Sequence, residues 1–528
     1  MRDIIYKNLD GCHSYRQIKD VVGSIELKVA LTSERISSYS IPAGGGITYN
    51  YAAKLVDERI IGLLENLAIE QQLAEKYLSL ADGEPVNTGE NRKVLHHLMR
   101  GRIAGDVVFE GQDLWQFYKS EHERIYDFSQ KVHTGQILGS TGKQFKTVIQ
   151  IGIGGSDLGP RALYLALKNY ARSQKNEKLV ALFISNIDPD DPNDVLSAID
   201  FETTIFILVS KSGTTQETLA NFEFVKCKMM EKEIPGLSPK QHFVVVTSKT
   251  SPLSKTDRTF NSFYIDDFIG GRYSSTSAVG ALVLSLAFGS GYFQDLLRGA
   301  HEADKQALNT DIRKNASMMD ALIGLYERNV LGMPATAVLP YSQALVRFPA
   351  HLQQLDMESN GKSVNRYGDP ISYLTGPIVF GEPGTNGQHS FYQHLHQGTD
   401  IIPLQFIGFT QAQSDFDVSS DGTLSQQKLV ANLAAQITAF ALGKEDLNRN
   451  RHFSGDRPTS LLYSSKLTPR ALGALLAHFE NKVMFQGFLW NINSFDQEGV
   501  QLGKALTSQV LAGDSLNPVL SSYIKLLT

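Results

Sequence analysis

Between residues 145 and 265 the chain alternates short β-branched runs with longer amphipathic stretches. This alternation limits its possible folds more than any other feature. The runs are KTVIQIGIGG, KLVALFISN, TTIFILVS, HFVVVTS and NSFYID. Apolar runs of about five to eight residues predict strands buried on both faces. DLGPRALYLALKNYA and TTQETLANFEFVKCKMM, which lie between them, carry apolar residues at helical spacing. Strands joined through helices run parallel, because a crossover is needed to bring the chain back in the same direction.

The pattern resumes after a helical stretch near residues 293–330. ATAVLPYS, GPIVFGE, DIIPLQFIGFT and TSLLYSS are strand candidates. FPAHLQQLDMES and KLVANLAAQITAFALG are helix candidates between them. The first hundred-odd residues read as helical, most clearly in ERIIGLLENLAIEQQLAEKYLSLADGE. The expected class is α/β, with two parallel-sheet units and helical segments at both ends. The polar stretch TQAQSDFDVSSDGTLSQQ is the one candidate for a flexible linker.

A chain of 528 residues is long for one core and suits two to four domains. Lys and Arg number 50 against 55 Asp and Glu, a formal charge of −5. No basic excess is left to hold nucleic acid or an anionic membrane surface. Two cysteines, Cys12 and Cys227, argue against a disulfide framework and against a Cys-ligated metal site. They fit a reducing, cytoplasmic setting. The N-terminus has no signal-like apolar region, and no run of about 18 apolar residues occurs.

Two strand-to-helix turns stand out. One is Gly152-Ile-Gly-Gly-Ser-Asp-Leu-Gly159 and the other is VSKSGTTQET, residues 209–218. In a parallel sheet both fall at the carboxyl edge, where ligands bind. Helix N-termini offer unpaired N–H groups, glycines allow close backbone approach, and Ser156, Ser210, Ser212, Thr214 and Thr215 add hydroxyls. Together they describe an anion site, with helix capping as the plainer alternative. Neither turn is a phosphate loop of the G-x-x-x-x-G-K-[ST] type, and GIGGSDLG departs from the dinucleotide spacing.

Arg272 follows a glycine pair in DDFIGGRYSSTS. A guanidinium stays charged and suits a developing oxyanion, while a surface ion pair with Asp266 or Asp267 is the alternative. Glu358 sits in MESNGK and His389 in GTNGQHSF, followed by His394 and His396. Histidines two apart on a helix do not face one another, so a metal site is not expected. Lys504 closes FDQEGVQLGK near the C-terminus.

Taken together, GIGGSDLGP, SKSGTTQET, GGRYS, MESNGK, GTNGQHSFYQ and FDQEGVQLGK resemble the glucose-6-phosphate isomerase family in content and order. NTGENRKVLHHLMR resembles the family's N-terminal segment. The resemblance implies two sugar-isomerase (SIS) domains, each a doubly wound parallel-sheet sandwich, in a homodimer with shared active sites. Residues 1–115 are then a helical segment packing on the second domain, 116–290 the first domain, and 291–528 the second with a C-terminal arm. The implied activity interconverts glucose 6-phosphate and fructose 6-phosphate through a cis-enediol, with no metal or organic cofactor. A phosphosugar-binding regulator without catalysis is the alternative.

By the same resemblance Glu358 is the base, and His389 and Lys504 assist ring opening, the histidine coming from the other subunit. Arg272 steadies the enediolate. Gly155, Ser156, Ser210, Lys211, Ser212 and Thr215 hold the phosphate, Gln354 and Gln497 line the sugar, and Glu217 orients the histidine. Two departures from the family pattern are Gly213, where an aromatic is common, and Gln501, where Glu is usual. Gly213 raises the question of a loosened turn, and Gln501 that of how Lys504 is paired.

Overall fold

The computed structural model describes residues 3–21, 25–255, 257–513 and 517–528. Its first sheet has five strands, all parallel, in the spatial order Val180–Ile184, Thr147–Ile151, Thr204–Val209, Phe243–Thr247, Asn261–Tyr264. Every residue of Thr204–Val209 and of Phe243–Thr247 is buried, which is why these runs are continuously apolar and do not alternate. Helices Leu158–Ser173 and Gln216–Glu231 make crossovers, and Ala278–Phe288 is buried along its whole length.

The second sheet has six strands and mixed direction. Thr459–Ser464, Leu404–Phe409, Ala335–Pro340 and Ile378–Phe380 are parallel neighbours. All nine strand candidates of the sequence are thus strands in one sheet or the other.

Residues 40–50 depart from the helical reading of the N-terminal region. Ser40–Gly44 and Ile47–Asn50 form an antiparallel hairpin, and the second of them pairs antiparallel with Thr459–Ser464. The reason is a period-two pattern. Ile41, Ala43, Ile47 and Tyr49 point inward on either side of a glycine-rich turn. The N-terminal segment therefore completes the second sheet, and its helices Glu58–Glu70 and Leu73–Ala81 contact helices Ala316–Asn329 and Pro469–Leu489 respectively.

Helix Pro469–Leu489 is buried over nearly its whole length and starts on a proline, with the Thr468 hydroxyl accepting from the Ala471 N–H. It packs against Ser290–Gln306 and Ala316–Asn329. The last two helices, Gln501–Ala512 and Pro518–Leu527, bury no residue in the single chain. The polar stretch read as a linker contains the short hairpin strands Ser419–Ser420 and Thr423–Leu424. No helix among the described residues is long and apolar enough to cross a membrane.

Candidate active site

At the carboxyl edge of the first sheet, the turns after Thr147–Ile151 and Thr204–Val209 open onto one cleft of ≈ 750 Å³. Gly155, Ser156, Ser210, Lys211, Ser212, Thr215 and Glu217 line it from this side, and Gln354, Glu358, Gln497, Gln501 and Lys504 from the other. Residues far apart in sequence therefore meet at one place. Asn87, Glu90 and Lys93 of the N-terminal segment also border the cleft.

The first question at VSKSGTTQET is whether its hydroxyls cap the helix. Thr215 is the N-cap of Gln216–Glu231, yet its side chain makes no capping hydrogen bond. Its Oγ1 lies 3.0 Å from Ser210 Oγ, which in turn accepts from the Gly213 N–H at 3.0 Å. The helix N-terminus is left open toward the cleft, the arrangement that favours an anion.

The turn is tight. Gly213 has φ +71°, and a Cβ there would lie 2.1 Å from Ser251 Oγ. Burial lowers the Lys211 amine below its ordinary pKa, with Asp267 and Glu90 opposing. The amine donates to the Ile269 carbonyl at 3.1 Å. This ties the hydroxyl-rich turn to the loop that carries Arg272.

That loop also touches the first turn. A Cβ on Gly155 would fall 2.1 Å from the carbonyl of Gly271, so only glycine permits this approach. Arg272 is the second residue of the 3-10 turn Gly271–Thr276, is 1% exposed, and lies behind the cleft lining, whereas its neighbours Gly271 and Tyr273 line the cleft. It makes no surface ion pair with the neighbouring acids. Asp266 instead accepts from the Tyr118 hydroxyl at 2.6 Å. Arg272 Nε donates to Ser359 Oγ at 2.6 Å, and Nη2 donates to the carbonyls of Ser494 (2.7 Å) and Asp496 (2.9 Å). Nη1 lies 3.5 Å from Glu358 Oε1.

Glu358 ends a π-helical turn, Gln354–Glu358, that widens the helix begun at Phe348–Gln353. Such turns insert an extra residue and are frequent where a side chain must be re-aimed. Both ends of this one, Gln354 and Glu358, line the cleft. Gln354 Oε1 is buried without a hydrogen-bond partner among the described residues. Lys504 is exposed in the first turn of Gln501–Ala512.

His389 lies elsewhere. It ends the 3-10 turn Asn386–His389, is exposed, and is not among the residues that line the cleft of its own chain. Among the described residues no cluster of His, Cys, Asp and Glu could hold a metal ion.

Residue-by-residue reading missed Tyr273, Ser359, Lys362 and Asp496. Tyr273 and Ser359 adjoin Arg272 and Glu358 in the quoted motifs, and that adjacency was the available signal. Lys362 forms an ion pair with Asp496, whose carbonyl also receives Arg272.

Two sheets, a cleft bordered by hydroxyl-rich turns and a carboxylate paired with a buried guanidinium describe an α/β protein with one candidate site built from both halves. Comparison with known proteins narrows the class. The family model described as phosphoglucose isomerase matches residues 50–523. The glucose-6-phosphate isomerase of Treponema denticola is 58% identical over 530 residues, covering 99% of each chain. That of Borreliella burgdorferi is 49% identical over 525 residues, covering 98% of each. The crystal structure of a glucose-6-phosphate isomerase from Chlamydia trachomatis aligns over 99% of both chains with a TM-score of 0.92 and 42% identity. The chain belongs to the phosphoglucose isomerase family.

Proposed function

We propose that this cleft interconverts glucose 6-phosphate and fructose 6-phosphate through a cis-enediol. The observation that carries the reading is the pair formed by Glu358, which lines the cleft of the hydroxyl-lined turns, and Arg272, buried behind that lining with its guanidinium 3.5 Å from the carboxylate. The names of the relatives from Treponema denticola and Borreliella burgdorferi support it.

The phosphate rests on Ser156, Ser210, Ser212 and Thr215 with the backbone of Gly155 and Lys211. Gln354 and Gln497 meet the sugar hydroxyls. Glu358 takes the C2 proton of the open-chain aldose. The C2 electron pair becomes the C1–C2 double bond, and negative charge falls on O1. Glu358 is now neutral, so the Arg272 charge is released toward the oxyanion, where a fixed cation helps most. The O2 proton passes to O1, Glu358 returns its proton to C1, and the C1–C2 pair takes it up as C2=O2 forms, which completes the ketose. A regulator that only binds phosphosugar has no use for this pair.

Ring opening falls to Lys504 and to His389 of a second copy, with Glu217 orienting the imidazole. Two observations support a homodimer with shared sites. His389 stands outside its own chain's cleft, and the C-terminal helices expose Leu502, Leu511, Val519, Tyr523, Leu526 and Leu527. The two free cysteines, Cys12 and Cys227, suit a reducing cytoplasm.

The test is Glu358→Gln, assayed with fructose 6-phosphate in the presence of a chelator. Phosphosugar binding is kept while turnover drops by about 10²–10⁴, the usual worth of a positioned base. Near-normal turnover in this variant overturns the reading.

A further inference from the structure

We propose that Ser359 is a positioning residue for the isomerisation, its hydroxyl aiming the Arg272 guanidinium at the reacting oxygen. This rests on the roles given above to Glu358 and Arg272. Nη2 is held by the carbonyls of Ser494 and Asp496. Both anchors sit on one nitrogen, at one corner of the group. The bond from Nε to Ser359 Oγ, at 2.6 Å, supplies the second fixed point. With Nε and Nη2 committed, Nη1 is the arm that faces Glu358.

Ser359 is itself held. Its Oγ lies 2.9 Å from the Tyr273 hydroxyl, and both residues are buried. A serine hydroxyl can accept from Arg272 and still serve Tyr273 through its proton or its second lone pair. The Tyr273 ring stacks on His96, with centroids 4.6 Å apart. This gives a place to NTGENRKVLHHLMR, the motif without an assigned role: His96 backs the tyrosine that braces the serine. Ser359 also follows Glu358 directly, so one residue links the aim of the cation to the turn that carries the base. Because Arg272 acts on charge that develops only in the transition state, a lost aim lowers kcat and leaves binding nearly intact.

The experiment measures Ser359→Ala and the near-isosteric Ser359→Cys beside Arg272→Met, with fructose 6-phosphate as substrate. A five-carbon aldonic acid 5-phosphate serves as inhibitor, because its carboxylate puts charge where the enediolate forms. Both serine variants are expected to lose about tenfold or more in kcat, with KM within about threefold, as small misplacements of a catalytic group do. The inhibition constant of the aldonate rises by the same factor. Folded serine variants with wild-type kcat, or with raised KM alone, overturn the proposal. Full activity in Arg272→Met instead overturns the parent reading, which separates the two failures. If neither serine variant folds, Tyr273→Phe decides, and a wild-type kcat there overturns the proposal.

Discussion

At the scale of one residue, Gly213 is the sharpest case. Its place in VSKSGTTQET raised the prospect of a loose turn, and the geometry answers the opposite way. With φ +71° and Ser251 Oγ 2.1 Å from where a Cβ would stand, the position admits no side chain without movement. Gly213→Ala meets a backbone cost of about 1–3 kcal/mol as well as that clash. In the proposed reading, the turn it would distort holds substrate equally in ground and transition states. Steady-state kinetics is therefore expected to show KM raised about tenfold with kcat little changed. A variant with unaltered KM would show that the turn does not hold the phosphate.

At the scale of elements, the strands were legible and their partners were not. TTIFILVS reads as a buried strand because nothing in it tolerates water, and the same holds for HFVVVTS. The Ser40–Asn50 hairpin escaped because four residues of alternation are too few to outweigh a helical neighbourhood. The motif residues of the cleft were legible as types in a pattern. The bond from Arg272 to Ser359 was not, since it joins residues 87 apart in sequence and spacing says nothing about which distant loops meet.

Asp320 makes a similar junction. On helix Ala316–Asn329, it accepts from Tyr49 of the hairpin at 3.1 Å and from Gln405 of a central strand at 2.6 Å. It lies 3.0 Å from His478 and 3.3 Å from Lys482 of the buried helix. Burial pushes its carboxyl up, but Lys482 and His478 outweigh burial and hold it well below the carboxylate range. A carboxylate with a depressed folded-state pKa contributes stability above its unfolded value, near 4, and loses that contribution as pH falls. Asp320→Asn should therefore cost about 3–5 kcal/mol at neutral pH, as broken buried pairs do. Denaturant melts of both proteins should show the gap narrowing below pH ~4. A gap independent of pH would mean that the charge is not what matters.

At the scale of the whole molecule, the cleft draws on both sheets and, in our reading, on two chains. Mixing Glu358→Gln with His389→Ala tests this directly. In a shared-site heterodimer one site carries both lesions and the other carries none. With random exchange, half of the dimers are mixed, and activity recovers to about a quarter of wild type. If each chain supplied its own histidine, mixing would restore nothing.

The Glu358–Arg272 pair also bridges the two halves, since the carboxylate belongs to the second sheet's helices and the guanidinium to the first sheet's edge. During the proposed reaction the negative charge moves from the carboxylate to the sugar and back, always beside the same cation. The net charge of carboxylate, guanidinium and sugar taken together does not change. Dissolved ions respond to net charge over distances near the Debye length, about 8–10 Å at ordinary salt, and a charge shuffled within a shorter span offers them little to screen. Raising sodium chloride should therefore leave kcat nearly flat while weakening capture of the phosphate dianion. A kcat that falls steeply with salt would place the moving charge beyond the reach of this cation.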